Sequence, residues 1–217
     1  MEQEYLSNDI NILDGVLYSS SPNIVVDIMS TDEDLIMEES ANILCQNKGT
    51  VLNVGFGLGV IDNYIKLKKP KEHHIIEIHP KVYNLAIQQG FDKVAKLYLG
   101  DWQDVVAEFI LKEKKFDAIY FDTYTFNRDK KQWAMFGKIV DKILNPNGIF
   151  AYYNNNASKI EKIENILEPL KWEKNKKYIP YSKILKRIKR DKPMVSKRPY
   201  ELIWFISKKL NNRTIKW

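Results

Sequence analysis

The stretch Asn53-Val54-Gly55-Phe56-Gly57-Leu58-Gly59 decides the fold. It follows Thr50–Val54, an apolar run that reads as a buried strand, and precedes Val60–Lys68, which reads as a helix. Three glycines at a strand-to-helix junction let the backbone turn sharply and approach a ligand closely. Glu77 ends the next strand-like run, 18 residues beyond Gly59. An acid there can accept hydrogen bonds from both hydroxyls of a ribose, so turn and acid together indicate a nucleoside cofactor rather than an ordinary surface glutamate. A dinucleotide fingerprint is G-x-G-x-x-G, because a pyrophosphate sits on the helix N-terminus. Here the spacing is G-x-G-x-G, and Val60-Ile61-Asp62 supplies no further glycine. That points away from NAD and toward S-adenosylmethionine.

Outward from the turn, strands and helices alternate. His74–Ile78 reads as a second strand and Lys81–Gln89 as a helix; Ala95–Leu99 as a third strand and Trp102–Leu111 as a helix. Phe116–Phe121 follows as a fourth strand, then a helix over Asp129–Leu144 and a fifth strand over Ile149–Tyr153. This alternation predicts an α/β fold: a doubly wound, Rossmann-like sheet, mostly parallel, with helices on both faces. Asn145-Pro146-Asn147-Gly148 reads as a strong stop before the fifth strand. Ile160–Leu167 reads as another helix. Two β-like runs in the tail, Lys177–Ile184 and Glu201–Ser207, extend the sheet as an antiparallel edge. Upstream, a helix is expected from Asp32 to Gln46, capped by Thr31 with acids in its first turn. The first 20 or so residues show no clear period. The absence of internal repeats or low-complexity linkers leads to one domain over 1–217, with residues 1–46 as an N-terminal segment.

Two further acids end strands. In Leu99-Gly100-Asp101-Trp102, an acid can accept from an adenine amino group and the indole can pack on the ring, though Asp101 serves equally well as a helix N-cap. In Phe116-Asp117-Ala118-Ile119-Tyr120-Phe121-Asp122-Thr123-Tyr124, the strand ends at Asp122, on the carboxyl edge where open α/β sheets bind ligands.

Composition narrows the classes. At 44% hydrophobic residues, the 217-residue chain supports a packed core and argues against wholesale disorder. No apolar run reaches the roughly 18 residues of a membrane span. The acidic start Met1-Glu2-Gln3-Glu4 is unlike a signal peptide. One cysteine, Cys45, excludes an internal disulfide and fits a reducing, cytoplasmic setting. His73, His74 and His79 have no cysteine cluster nearby, which argues against a structural zinc site. The net charge is +6, much of it between Lys171 and Arg198. A solvated lysine-rich surface is the ordinary account, and a polyanion-binding face the alternative.

With these segments in order, the chain resembles the guanidinoacetate N-methyltransferase family and related arginine-modifying fungal enzymes, from about Ile28 to Tyr153. The resemblance rests on Val54-Gly55-Phe56-Gly57, His74-Ile75-Ile76-Glu77, Gly100-Asp101-Trp102-Gln103-Asp104-Val105, and Phe121-Asp122-Thr123-Tyr124. Ahead of the turn, the family's V-M-x-x-W-E-T-x-x-M corresponds to Ile28-Met29-Ser30-Thr31-Asp32-Glu33-Asp34-Leu35-Ile36-Met37. The resemblance implies a class I fold and S-adenosylmethionine as cofactor. By it, Met29 and Met37 border the cofactor. Gly55, Phe56, Gly57 and Gly59 hold its methionine part, Glu77 its ribose, and Asp101 and Trp102 lie by the adenine. It further implies that Glu33 and Asp122 hold a guanidinium, with Thr123 beside them and Asn155 and Asn156 at the substrate's far end. The activity implied is N-methylation of a small guanidino compound, with residues 1–46 covering the substrate; an arginine in a peptide or protein presents the same fork. Departures are Asn53 where the family usually has an acid, and Asp32 and Asp34 in place of a tryptophan and a threonine. Nucleic-acid amino-methyltransferases often carry Pro-Pro-aromatic after the fourth-strand acid, whereas Asp122-Thr123-Tyr124-Thr125 stands here, which argues against that class. A non-catalytic S-adenosylmethionine-binding protein is a third reading, since fold alone does not establish activity.

Overall fold

In a doubly wound sheet successive residues of each strand face opposite helical layers, so every strand must be apolar on both faces. The computed structural model, which describes residues 2–22, 24–123, 130–153, 165, 167, 170–189, 191, 193, 195 and 199–208, has this pattern in the inner strands of the sheet, while the two outermost strands are largely exposed. The central strands are β4 (Thr50–Val54), β5 (Glu72–Glu77), β6 (Lys96–Leu99), β7 (Phe116–Phe121) and β8 (Leu144–Tyr152). Val51, Ile75, Ala118, Tyr120 and Ala151 point into one cluster, with buried residues of α2 (Asp34–Leu44), α3 (Val60–Lys68) and α4 (Pro80–Gln88). Leu52, Ile76, Ile119, Phe121 and Phe150 point into the other, with α5 (Trp102–Leu111) and α6 (Lys130–Ile143).

The sheet order is β6-β5-β4-β7-β8-β10-β9, where β9 is Glu173–Ile179 and β10 is Tyr200–Ile206. The five central strands are parallel, and β10 runs antiparallel to both β8 and β9. The antiparallel C-terminal edge thus holds, with the last strand inserted inside it. The run expected to continue as strand to Ile184 stops at Ile179, because Pro180 starts the short helix α7 (Tyr181–Leu185).

Three expectations change. The first residues are structured: α1 (Glu2–Ser7) precedes a three-stranded antiparallel sheet, β1 (Asp9–Leu13), β2 (Val16–Ser21) and β3 (Ile24–Ser30). β1 is almost wholly exposed, so it carries no in-out alternation. The helix expected from Asp32 begins as a 3₁₀ turn, Thr31–Glu33, capped by the Ser30 hydroxyl at 3.1 Å from the Asp32 N–H rather than by Thr31. The Asn145–Gly148 stop lies inside β8: Phe116 pairs with Leu144 and Ala118 with Ile149, so the stretch bulges out of the ladder. Of the helix expected over Ile160–Leu167, only Asn165 and Leu167 fall among the described residues.

Candidate active site

The parallel strands end on one edge, and the site is built there. Gly55 donates to the Ile76 carbonyl (2.9 Å) and turns with φ +96°. A side chain at that position would overlap the Asp122 carbonyl oxygen, so glycine lets the ends of β4 and β7 abut. Phe56 is buried, its ring edge-on to Phe91 at 5.2 Å and packed under Gly59. Glu77 reaches the turn from the end of β5: Oε2 accepts from the Phe56 N–H (2.9 Å) and Oε1 from the His79 N–H (2.8 Å). Burial raises the Glu77 pKa, and the surrounding backbone N–H groups act against that rise.

Met29, at the end of β3, lies over Gly57, and its sulfur accepts from the Leu58 N–H at 3.3 Å. A thioether is a weak acceptor, so this N–H remains open to a stronger one. Met37 is fully buried on α2, and its sulfur takes the Tyr120 hydroxyl at 3.6 Å. Asp101 caps α5 by accepting from the Gln103 N–H (2.6 Å), and Trp102 sits edge-on to Phe121 at 5.4 Å. Both are half-buried beside the site edge.

Glu33 and Asp122 come together from different parts of the chain. Glu33 ends the 3₁₀ turn after β3; Asp122 follows β7, its N–H on the Val54 carbonyl (2.9 Å). Burial, and next the charge of Asp122, push the Glu33 carboxyl up to about 8; the Tyr153 hydroxyl, which donates to Glu33 Oε1 at 2.7 Å, opposes them. Tyr153 follows β8, stacks on Tyr200 at 5.8 Å, and has its own pKa raised well above the usual phenol range, chiefly by burial and then by Glu33. Beside Asp122, the buried Thr123 Oγ1 has no hydrogen-bond partner among the described residues. Asn155 and Asn156 lie outside the described residues.

Tyr153 was missed from sequence, although a signal existed. In a parallel pair of strands, residues level with each other share an edge, and Phe121 pairs with Tyr152, which puts Tyr153 level with Asp122. Asp62 was missed as well. It is fully buried on α3 and bonded to the Asn53 amide.

Comparison with known proteins gives the same picture. Residues 23–171 match the model of the guanidinoacetate N-methyltransferase family. Protein arginine N-methyltransferase 2 of Neurospora crassa is 34% identical over 167 residues, covering 70% of this chain and 38% of that protein. The protein of that name from Yarrowia lipolytica is 37% identical over 135 residues, 58% of this chain and 28% of its own length. The chain therefore spans well under half the length of these relatives. Among solved structures, the O-methyltransferase from Bacillus cereus in complex with SAH aligns with TM-score 0.58 at 14% identity, over 80% of this chain and 81% of that one, a likeness of fold alone. By the family match across 149 of its residues, this chain belongs to the guanidinoacetate N-methyltransferase family.

Proposed function

We propose that the protein is an S-adenosylmethionine-dependent N-methyltransferase that acts on a guanidino group held by Glu33 and Asp122. The observation that carries the reading is the convergence of these carboxylates, with Tyr153, beside a glycine turn that abuts Asp122 itself. The residues fit an S-adenosyl compound. Glycine at 55 and 57 lets the turn lie close against Asp122 and Met29, the Leu58 N–H is held by a weakly accepting thioether, and Glu77 stands at the end of β5 against the turn. When bound, S-adenosylmethionine supplies an electrophilic methyl group on a sulfonium.

A guanidinium stays protonated in water and is a poor nucleophile. Two carboxylates can bind its planar fork through paired charge-assisted hydrogen bonds. Before the cation enters, Glu33 holds a proton at neutral pH, since desolvation and then the neighbouring charge of Asp122 disfavour its ionised form. Entry of the cation stabilises the ionised form, and Glu33 discharges its proton to solvent. During transfer of that methyl group to the guanidino nitrogen, Asp122 would take the proton that nitrogen loses. Tyr153 holds Glu33 in place meanwhile. Alignment of the two reactants contributes up to about 7–11 kcal/mol in well-oriented systems. In this reading residues 1–46 cover the substrate.

A guanidino group on a peptide or protein is the second reading, favoured by the names of the fungal relatives. The test of both is mass spectrometry of products from S-adenosylmethionine with guanidinoacetate, free arginine and an arginine-containing peptide. Methylation of a guanidino nitrogen in any of them supports the activity, and the preferred acceptor chooses between the readings. No turnover with any of the three overturns the small-substrate reading. Asp122→Asn is expected to abolish methyl transfer while calorimetry still detects cofactor binding; equal loss of both contradicts the role given to Asp122.

A further inference from the structure

The acid expected at position 53 is present in the fold at another position. Asn53 is fully buried on β4, and its amide nitrogen divides its two hydrogens between partners. One points to the Gly55 carbonyl at 2.9 Å, the other to both oxygens of Asp62 at 3.0 and 2.9 Å. The opposite amide orientation would set three acceptors against each other with no hydrogen among them, so the nitrogen must face this way. Asp62 Oδ1 also lies 2.9 Å from His73 Nε2 on β5. Asp62 thus joins a helix to two strands directly beneath the turn.

Core packing does not call for this arrangement. Asp62 lies between Ile61 and Ile65 on the buried side of α3, where an apolar residue would avoid the cost of burying a carboxylate. The arrangement also leaves Asn53 Oδ1 and His73 Nδ1 buried without partners among the described residues. What it achieves is local. The Gly55 carbonyl and the Phe56 N–H belong to one peptide unit. Asn53 holds the oxygen, and Glu77 holds the N–H from the other side. A peptide plane next to glycine is otherwise free to flip; this one is pinned at both ends.

We propose that Asp62 is a positioning residue for the cofactor turn: through Asn53 it fixes the Gly55–Phe56 peptide and with it the course of the Gly55–Gly59 backbone. It supplies from α3 the carboxylate expected on β4. The inference rests on the reading of this chain as an S-adenosylmethionine-binding enzyme. The experiment is calorimetric titration of wild type and Asp62→Asn with S-adenosylhomocysteine, with KM and kcat measured against S-adenosylmethionine and Tm recorded for each. Asp62→Asn is expected to weaken binding and raise the cofactor KM about tenfold, with kcat at saturation changed less than about twofold. Ile143→Val, a core change remote from the turn, lowers Tm without shifting either constant and calibrates the effect of lost stability alone. Should Asp62→Asn not fold, Asn53→Ser carries the same expectation, since serine is too short to span Asp62 and the Gly55 carbonyl. An unchanged constant in either variant overturns the proposal. Failure of the wild type to bind overturns the cofactor reading itself and the inference with it.

Discussion

Glu33 shows how a single side chain trades stability for binding. Its folded pKa, about 8, lies above the ordinary carboxylate value of 4.5. The folded state therefore holds this proton more tightly than the unfolded chain does. The resulting stability is fully present below pH 4.5 and is lost progressively as pH rises through 8. Glu33→Gln removes that loss. Its Tm is expected to match wild type near pH 4 and exceed it by several degrees at pH 9, at roughly 2–4 °C per kcal/mol for a domain of this size. The same change should abolish guanidino binding. Titrating substrate at pH 7 in buffers of different ionisation enthalpy should show proton release by the wild type. Tyr153→Phe is expected to raise the acceptor KM by about tenfold and leave cofactor binding intact, because it strips a hydrogen bond to a charged group. Glu33 and Asp122 were legible because each sits in a stretch with several matching neighbours. Tyr153 and Asp62 were not. Their roles come from strand register and helix facing, which place residues far apart in sequence beside each other.

At the scale of elements, glycine's role depends on what surrounds it. Gly55 and Gly90 both have positive φ, +96° and +79°. Around Gly90 a side chain would meet nothing within 4 Å, whereas at Gly55 it would collide with the Asp122 backbone. Urea unfolding should therefore find Gly90→Ala destabilised by about 1 kcal/mol, the cost of the left-handed backbone alone. Gly55→Ala should lose cofactor binding outright, because the ends of β4 and β7 must separate to admit the methyl group. The strands and helices flanking the turn were readable almost to the residue, since each is apolar on both faces or periodic over two or more turns. The N-terminal sheet was not, although Asp14-Gly15 carries the signal of a two-residue hairpin, with φ +49° and +73°. The exposed strand β1 on its N-terminal side gave that signal no buried face to join. Asn145-Pro146-Asn147-Gly148 misled in the other direction: turn chemistry was right, and the ladder continues past it.

Across the whole molecule, the sheet order follows from the alternation of elements, and the tail is where reading stopped short. Its basic residues are partly used within the fold. Arg187 pairs with Asp34 (2.9 Å) and Glu38 (2.5 Å), and Lys177 with Glu39 (2.6 Å), laying the tail along the acidic face of α2. Such pairs are exposed, and Arg187→Ala is expected to cost no more than about 1 kcal/mol, with the difference from wild type shrinking in high salt. Linear charge counts cannot reveal pairing across 149 residues of chain.

The two carboxylates of the site do not share a backbone ladder. Asp122 is fixed to the seven-stranded sheet, while Glu33 stands where the small three-stranded sheet passes into α2. Loss of the small sheet would separate them while taking only Leu17 and Met29 from the buried residues of one cluster and none from the other, and local openings cost less than global unfolding. Heat should therefore silence the protein before it melts it. Methyl transfer is expected to fail at a lower temperature than the calorimetric transition, and earliest when the guanidino compound is withheld.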